Sequence, residues 1–224
     1  MSVFEILLAI AFLILSYLVG SIPVGYLLGR HFADKDVFAH GSGSMGMTNV
    51  IRVLGLRAGV FVLSSDLLKG AIPALVVGLA MPNHPEIQAL AGVAAVAGHS
   101  WSVWVGFKGG KGLLTGLGAV IVIFPTVLIV AAPIGITLIV VVRYVSLGSI
   151  GATVVAFASG IVWYVSGLWT SVWGLVYVGL AGALILWQHR SNMLRLAHGT
   201  ESRLAAWPTY RRSRSSEPDE PTGP

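Results

Sequence analysis

No charged residue stands between Lys111 and Arg143, and none between Arg143 and Arg190. Inside lipid, every backbone N–H and C=O of such a stretch must find its partner within the protein, which only helices or a closed barrel achieve. The runs are continuously apolar rather than alternating, so helices are expected. Each needs roughly 20 residues to cross about 30 Å of hydrocarbon. Hydrophobic residues make up 55% of the 224 and charged ones 10%, with a mean hydropathy of +0.84. A soluble domain is excluded. The expected fold class is all-α: a polytopic membrane bundle of about seven transmembrane helices, some short or broken.

Apolar spans are expected near 3–28, 57–80, 87–100, 113–124, 126–142, 147–165 and 169–187. Turn residues separate some of them, as in Met81-Pro82-Asn83-His84-Pro85-Glu86 and Ser166-Gly167-Leu168. With these spans, all fourteen Lys and Arg fall on one side or within a helix near it. The positive-inside rule then places that side in the cytoplasm and the N-terminus outside. Residues 1–29 hold no Lys or Arg; a secretory leader's basic start is missing, and the first helix is expected to stay in the membrane. Residues 113–142 must cross twice to keep Arg143 inside. Thirty residues reach about 45 Å, against roughly 60 Å for two full crossings. Short helices turning at Pro125, with a kink at Pro133, are therefore expected. One long helix is the alternative, and it would put Arg143 outside.

Residues 1–200 are expected to form a single membrane-embedded domain. Residues 201–224 read as a polar, Pro-rich cytoplasmic tail, partly disordered, whose Arg211, Arg212 and Arg214 can touch anionic lipid. The chain has no cysteine, which excludes thiol catalysis. Its net charge of +5 is scattered between spans, which is no nucleic-acid signature.

Three polar segments interrupt the oil. The first is His40-Gly41-Ser42-Gly43-Ser44-Met45-Gly46-Met47-Thr48-Asn49, followed by Arg52. Thr48 or Asn49 could cap a short helix whose N-terminus and loop N–H groups bind an anion, while Arg52 adds a phosphate-matched fork. A flexible connector is the bland alternative. The second runs from Gly98-His99 to Phe107-Lys108-Gly109-Gly110-Lys111-Gly112. Its spacing is not that of a Walker A loop. Lys108 and Lys111 could simply mark the inner side, but the glycines argue for backbone closing around phosphate. Trp101 and Trp104 suit the headgroup interface. His99 reads as a base, a phosphate donor or a satisfied buried imidazole.

The third segment, His189 to Glu201, puts His189 and Asn192 on one helical face. Asn192 could orient a hydroxyl or a phosphate oxygen; Arg190 and Arg195 read as interface anchors. Within the second span, Asp66 and Lys69 are spaced to pair, as a functional group or as a structural lock. Ser146, Ser149 and Gly148 could complete a polar floor. No metal-ligand cluster stands out.

Together these segments resemble the acyl-phosphate:glycerol-3-phosphate acyltransferase family. The family's first motif, Gly-Ser-Gly-Asn-x-Gly-Ala-Thr-Asn, is matched by Gly41 to Asn49, with Ser44 in place of Asn and Met47 in place of Ala. Gly98-His99 with Phe107 to Gly112 matches the second. His189, Asn192, Arg195, Leu196, Gly199 and Glu201 match the third, with Met193 in place of Ile. The resemblance covers residues 20–201 and implies transfer of an acyl group from acyl phosphate to the 1-hydroxyl of glycerol 3-phosphate. Lysophosphatidic acid and phosphate are the products, in phospholipid synthesis at the cytoplasmic face of the bacterial inner membrane. It implies no metal, cofactor, nucleic acid or obligate protein partner.

The residues make chemical sense of that implication. Both substrates carry phosphate, so Gly41, Ser42, Gly43, Gly46, Thr48, Asn49, Arg52, Lys108, Gly109, Gly110, Lys111, Gly112, His189 and Asn192 are expected to bind it. His99, Ser42, Lys111 and Asn192 form the expected catalytic set, supported by Asp66, Lys69, Ser146, Ser149 and Glu201. Acyl phosphate is an activated anhydride, so direct attack suffices, with His99 or a substrate phosphate oxygen taking the proton. Ser42 is expected to hold phosphate rather than to act as nucleophile. The acyl tail would lie among the helices, facing lipid. Two rivals remain at this level. His31 and Asp36 match the His-x-x-x-x-Asp pattern of another acyltransferase class, and glycine-broken helices also build transporters of phosphorylated metabolites.

Overall fold

The structure is a computed structural model, and it describes residues 1–204. The tail expectations for 205–224, the arginines at 211, 212 and 214 included, lie outside the described residues. Within them the chain is helical, with one isolated antiparallel bridge between Ser102 and Lys108.

Ten α-helices follow in order: α1 Val3–Ser21, α2 Val24–Phe32, α3 Met47–Leu54, α4 Leu56–Ala80, α5 Pro85–Ser100, α6 Leu113–Ile123, α7 Leu128–Val142, α8 Val145–Val165, α9 Val172–Gln188 and α10 Arg190–Ala197. Val3–Phe32, Leu56–Ala80, Pro125–Val142 and Val145–Val165 are long and apolar enough to cross a membrane. The α9–α10 pair, bent by 57°, qualifies as a fifth span. The 16 residues of α5 and 11 of α6 reach only about 24 Å and 16 Å.

Local chemistry sets the boundaries. Ser2 and Glu5 form a reciprocal capping box at the start of α1. The expected first span is broken at Pro23, whose missing N–H and ring stop α1 at Ser21. Pro125 opens a single 3-10 turn between α6 and α7, at the expected bend. Pro73 and Pro133 lie inside α4 and α7.

Lipid offers no hydrophobic drive for one helix to bind another, so close packing must hold the bundle. Small residues permit it. A Cβ at Gly70 of α4 would run into the Thr115 carbonyl of α6, and one at Gly118 of α6 into the Leu67 carbonyl of α4. Gly20 and Gly98 do the same for α1 against α5, meeting Ala95 and Tyr17. The largest buried cluster joins α4, α5, α6 and α9 through Ala74, Val96, Ala119, Phe124, Tyr177 and Ile185. Tyr177 Oη donates to the Gly116 carbonyl at 2.8 Å, satisfying its one polar atom. This packing holds the start of α4, the end of α5 and the start of α6 together, and the three polar segments gather there.

Candidate active site

A cavity of about 570 Å³ opens where α4, α6 and α8 begin and α5, α7 and α9 end. Its first wall is the loop before α3, and Asn49 builds that wall. Its side chain is 2% exposed. Oδ1 accepts from the Ser42 N–H at 2.8 Å, while Nδ2 faces the carbonyls of Val37, His40 and Ser44 at 2.9, 3.0 and 2.8 Å. The expected cap is therefore corrected: Gly46 is the N-cap of α3, and neither Thr48 nor Asn49 caps it. Asn49 spends its amide inside the loop, where it can fold back on its own chain. Gly41, at φ +62°, lets the backbone pass so close that a Cβ would strike Asn49 Oδ1. Ser42, Thr48 and Arg52 line the cavity from this wall.

The second wall comes from 99–112. Lys111 and Gly112 line the cavity, whereas Lys108, Gly109 and Gly110 do not. Lys108 is exposed. Gly110 N–H donates to the His99 carbonyl at 3.0 Å, so it is not bared for an anion. A Cβ at Gly109 would run into the His99 and Ser100 carbonyls, and one at Gly110 into His99 Nε2. The glycines thus let the loop lie on the end of α5 and against His99. Lys111, half-buried, is pushed down to about 8, chiefly by burial, with Arg195 and Arg52 adding to the fall and Glu201 opposing it.

The third wall is the α9–α10 bend. His189 is 2% exposed, and its Nδ1 lies 2.8 Å from the Ile185 carbonyl. A carbonyl only accepts, so Nδ1 carries a proton. Asn192 Nδ2 and Ser146 Oγ donate to Glu201 Oε1 at 2.7 and 2.8 Å, and Arg195 Nε donates to Oε2 at 2.7 Å. Burial pushes the Glu201 carboxyl up, but these donors outweigh it and hold it below the usual range. Arg195, expected as an interface anchor, instead lines the cavity and ties down Glu201. Asn192 Oδ1 is buried with no partner.

Behind the cavity, Lys69 Nζ and Asp66 Oδ1 pair at 2.8 Å, as their spacing suggests. Asp66 and His99 reach the wall; Lys69 and Gly43 do not. Ser146 and Ser149 form the expected floor.

One part of the site carried no sequence signal. A second cavity of about 370 Å³, lined almost wholly by apolar groups of α6, α7, α8 and α9, adjoins the first. Leu63, Leu113, Leu114, Ile139 and Ser149 line both. Aliphatic residues in apolar helices look alike, whether they face a neighbour, lipid or a groove.

Fold and site thus define a class: a helical membrane protein whose cationic chamber opens into an apolar groove. The family model described as glycerol-3-phosphate acyltransferase matches residues 10–199. A curated glycerol-3-phosphate acyltransferase of Desulforudis audaxviator (strain MP104C) is 42% identical over 209 residues, covering 92% of this chain and 98% of that one. Another, of Myxococcus xanthus (strain DK1622), is 40% identical over 196 residues, covering 86% and 98%. Among solved structures, PlsY, an integral membrane glycerol 3-phosphate acyltransferase in its glycerol 3-phosphate form, is 39% identical. It superposes with a TM-score of 0.80 over 87% of this chain and 94% of that one. The chain belongs to the glycerol-3-phosphate acyltransferase family and is an integral membrane acyltransferase.

Proposed function

We propose that this enzyme moves an acyl group from acyl phosphate to the 1-hydroxyl of glycerol 3-phosphate, releasing lysophosphatidic acid and inorganic phosphate. The observation that carries this reading is the shared mouth of the two cavities at Leu63, Leu113, Leu114 and Ile139. A donor with a charged head and a long tail needs such a junction, and its carbonyl would sit there.

In the chamber, Arg52, Lys111, His189 and the Ser42 hydroxyl hold the two phosphates. The free Asn192 Oδ1 is an acceptor for a glycerol hydroxyl. The 1-hydroxyl oxygen attacks the carbonyl carbon, and the new C–O bond forms as the carbonyl becomes an oxyanion beside Lys111. The C–O bond to phosphate then breaks. The hydroxyl proton passes to His99 or to a phosphate oxygen. Alignment of the two substrates and cationic stabilisation supply the rate, with no covalent enzyme intermediate, cofactor or metal.

We place the chamber on the cytoplasmic face of a bacterial inner membrane. α1, α5, α7 and α9 end near it, while α4, α6 and α8 begin there. This alternation supports seven crossings with the N-terminus outside and residues 1–200 as one domain. Arg30, Arg52, Arg57, Lys108, Lys111, Arg143 and Arg190 all lie near these helix ends, as the positive-inside rule asks of the inner side. Bilayer lipid surrounds the apolar flanks, and no protein partner is required.

The test uses purified protein in detergent with palmitoyl phosphate and glycerol 3-phosphate. Equal release of lysophosphatidate and phosphate is expected, whereas palmitoyl-CoA as donor yields neither. Absence of product from palmitoyl phosphate would overturn the reading, as would acyl-Ser42 trapped as an intermediate for the direct attack.

A further inference from the structure

The apolar groove has a closed end, and one ring closes it. Farthest from the shared mouth along their helices, it is lined by Val120, Leu128, Ala156 and Val178. Phe124 stands one turn from both Val120 and Leu128 in the chain, in the break between α6 and α7. Its ring is fully buried. Across the bundle, Gly160 lies one turn beyond Ala156 on α8, and Gly174 one turn beyond Val178 on α9. A Cβ at Gly160 would press on Phe124 Cε1, and one at Gly174 on its Cγ and Cδ1. The ring therefore fills the space through which α8 and α9 would otherwise carry the groove onward. Trp169 packs on it with the ring centroids 4.6 Å apart. Pro125 disfavours a helical conformation in the residue before it, and Phe124 has left the helix at φ −151° and ψ 62°. The ring thus sits at a fixed corner of the chain rather than on a helix face.

The length of the groove gives this stop a meaning. From Ser149 to Ala156 on α8, and from Ile185 to Val178 on α9, the walls run about 10 Å at the helical rise. One leaflet of the bilayer core is about 15 Å deep, half of the whole. A tail of ordinary membrane length, with its carbonyl at the shared mouth, therefore reaches the ring. A much shorter tail ends before it and forfeits the packing of the deep walls. A longer one must turn aside past Ile136, giving up the ordered contacts of a straight fit.

We infer that Phe124 determines which acyl chain lengths the enzyme prefers, by closing the far end of the groove that holds the donor's tail. This rests on the acyl-transfer reading above and adds the residue that selects among its donors. The selection is made at the opposite end of the tail from the chemistry. Ala156 is the complementary element: its small side chain, half-buried on the α8 wall, keeps the last turn of the groove open up to the ring.

The experiment measures kcat/KM for octanoyl, lauroyl, palmitoyl and arachidoyl phosphates with saturating glycerol 3-phosphate, in wild type, Phe124→Ala and Ala156→Leu. One detergent serves throughout, so that each donor partitions alike in all three proteins. Phe124→Ala removes the stop, and the arachidoyl-to-lauroyl ratio should rise about tenfold or more, the range in which an apolar pocket weighs a methylene. Ala156→Leu brings the floor toward the mouth, and the palmitoyl-to-octanoyl ratio should fall about tenfold, as overpacking a fitted site does. Ratios are the readout because a merely weakened fold lowers every donor alike. A ratio that stays at the wild-type value in a folded variant overturns the inference, as does a shift of both variants in the same direction. A second measurement needs no variant. Palmitoyl phosphonate with a diazirine at its last carbon, irradiated on wild type, should label residues 120–128 or Ala156. Label at Ile136, or on detergent alone, overturns the inference even if neither variant folds. A wild type that makes no product from any donor is the failure of the acyl-transfer reading, and the inference falls with it. An active wild type with unmoved ratios sinks the role of Phe124 alone.

Discussion

The two glycine-rich segments look interchangeable on paper, but the fold uses them in different ways. Around 41–49 the chain curls about a buried amide, and Asn49 holds the turn so that Ser42, Thr48 and Arg52 face the chamber. Around 107–112 the chain is pressed flat onto another helix, with Gly109 and Gly110 against the end of α5 and His99. The first loop is organised from inside by one side chain. The second is organised from outside by the surface it lies on. Glycine next to a cation therefore signals close approach, without saying whether the neighbour is a phosphate, an imidazole or the chain's own backbone.

Substitutions at four positions test that contrast. Asn49→Ala should do the most damage, because it strands the Ser42 N–H and three carbonyls. A loss of about 3 kcal/mol, read as a lower unfolding midpoint in detergent, and about a 100-fold or greater loss of activity are expected. An active, stable Asn49→Ala enzyme would mean that the first loop holds itself. Gly110→Ala should cut kcat between about 10- and 100-fold by displacing His99 or the loop. It should leave the unfolding midpoint nearer to wild type than Asn49→Ala does. If the loss appeared in KM for phosphate-bearing substrate instead, the second loop would be an anion cradle after all.

Lys111→Met should raise KM for a phosphorylated substrate about tenfold, as loss of a charge-assisted contact. Its pH dependence has a definite sign. With its pKa lowered to about 8, Lys111 is charged below that pH and loses its proton above it. KM should therefore climb as pH rises through about 8, and Lys111→Arg should carry the climb to higher pH. Lys108→Ala should change kcat and KM by less than about twofold, as expected for an exposed charge off the cavity. A tenfold effect there would put both lysines at the phosphate.

Much of the scaffold was legible because membrane segments obey simple rules. Uncharged runs gave the helices, Pro125 the bend, and the i, i+3 spacing the Asp66–Lys69 pair. The inward-facing set from Ser42 to Glu201 was legible because polar residues amid oil are expensive, and they largely converge on one chamber. What stayed hidden was the direction in which each group spends its bonds. Asn49 read as a cap and became the hub of its own loop. Arg195 read as an anchor and became the partner of Glu201. Lys108 and Lys111 are each followed by glycine in one short run, yet one faces water and the other the cavity. The break at Pro23 was missed because apolarity runs straight through it. The groove of Val120, Ala156 and Gly182 gave no sign, since its walls are made of ordinary span residues.

Ile136 stands at the lip of that groove and is 61% exposed on the outer surface of the bundle. The proposed reaction thus has two exits of opposite character. Inorganic phosphate would depart into water from the chamber, while the acylated glycerol would slip sideways past Ile136 into the surrounding leaflet. Products sent into different phases rarely meet again, so under the proposed reaction such an architecture would work against reversal and would deliver each new lipid directly to the sheet it would help to build.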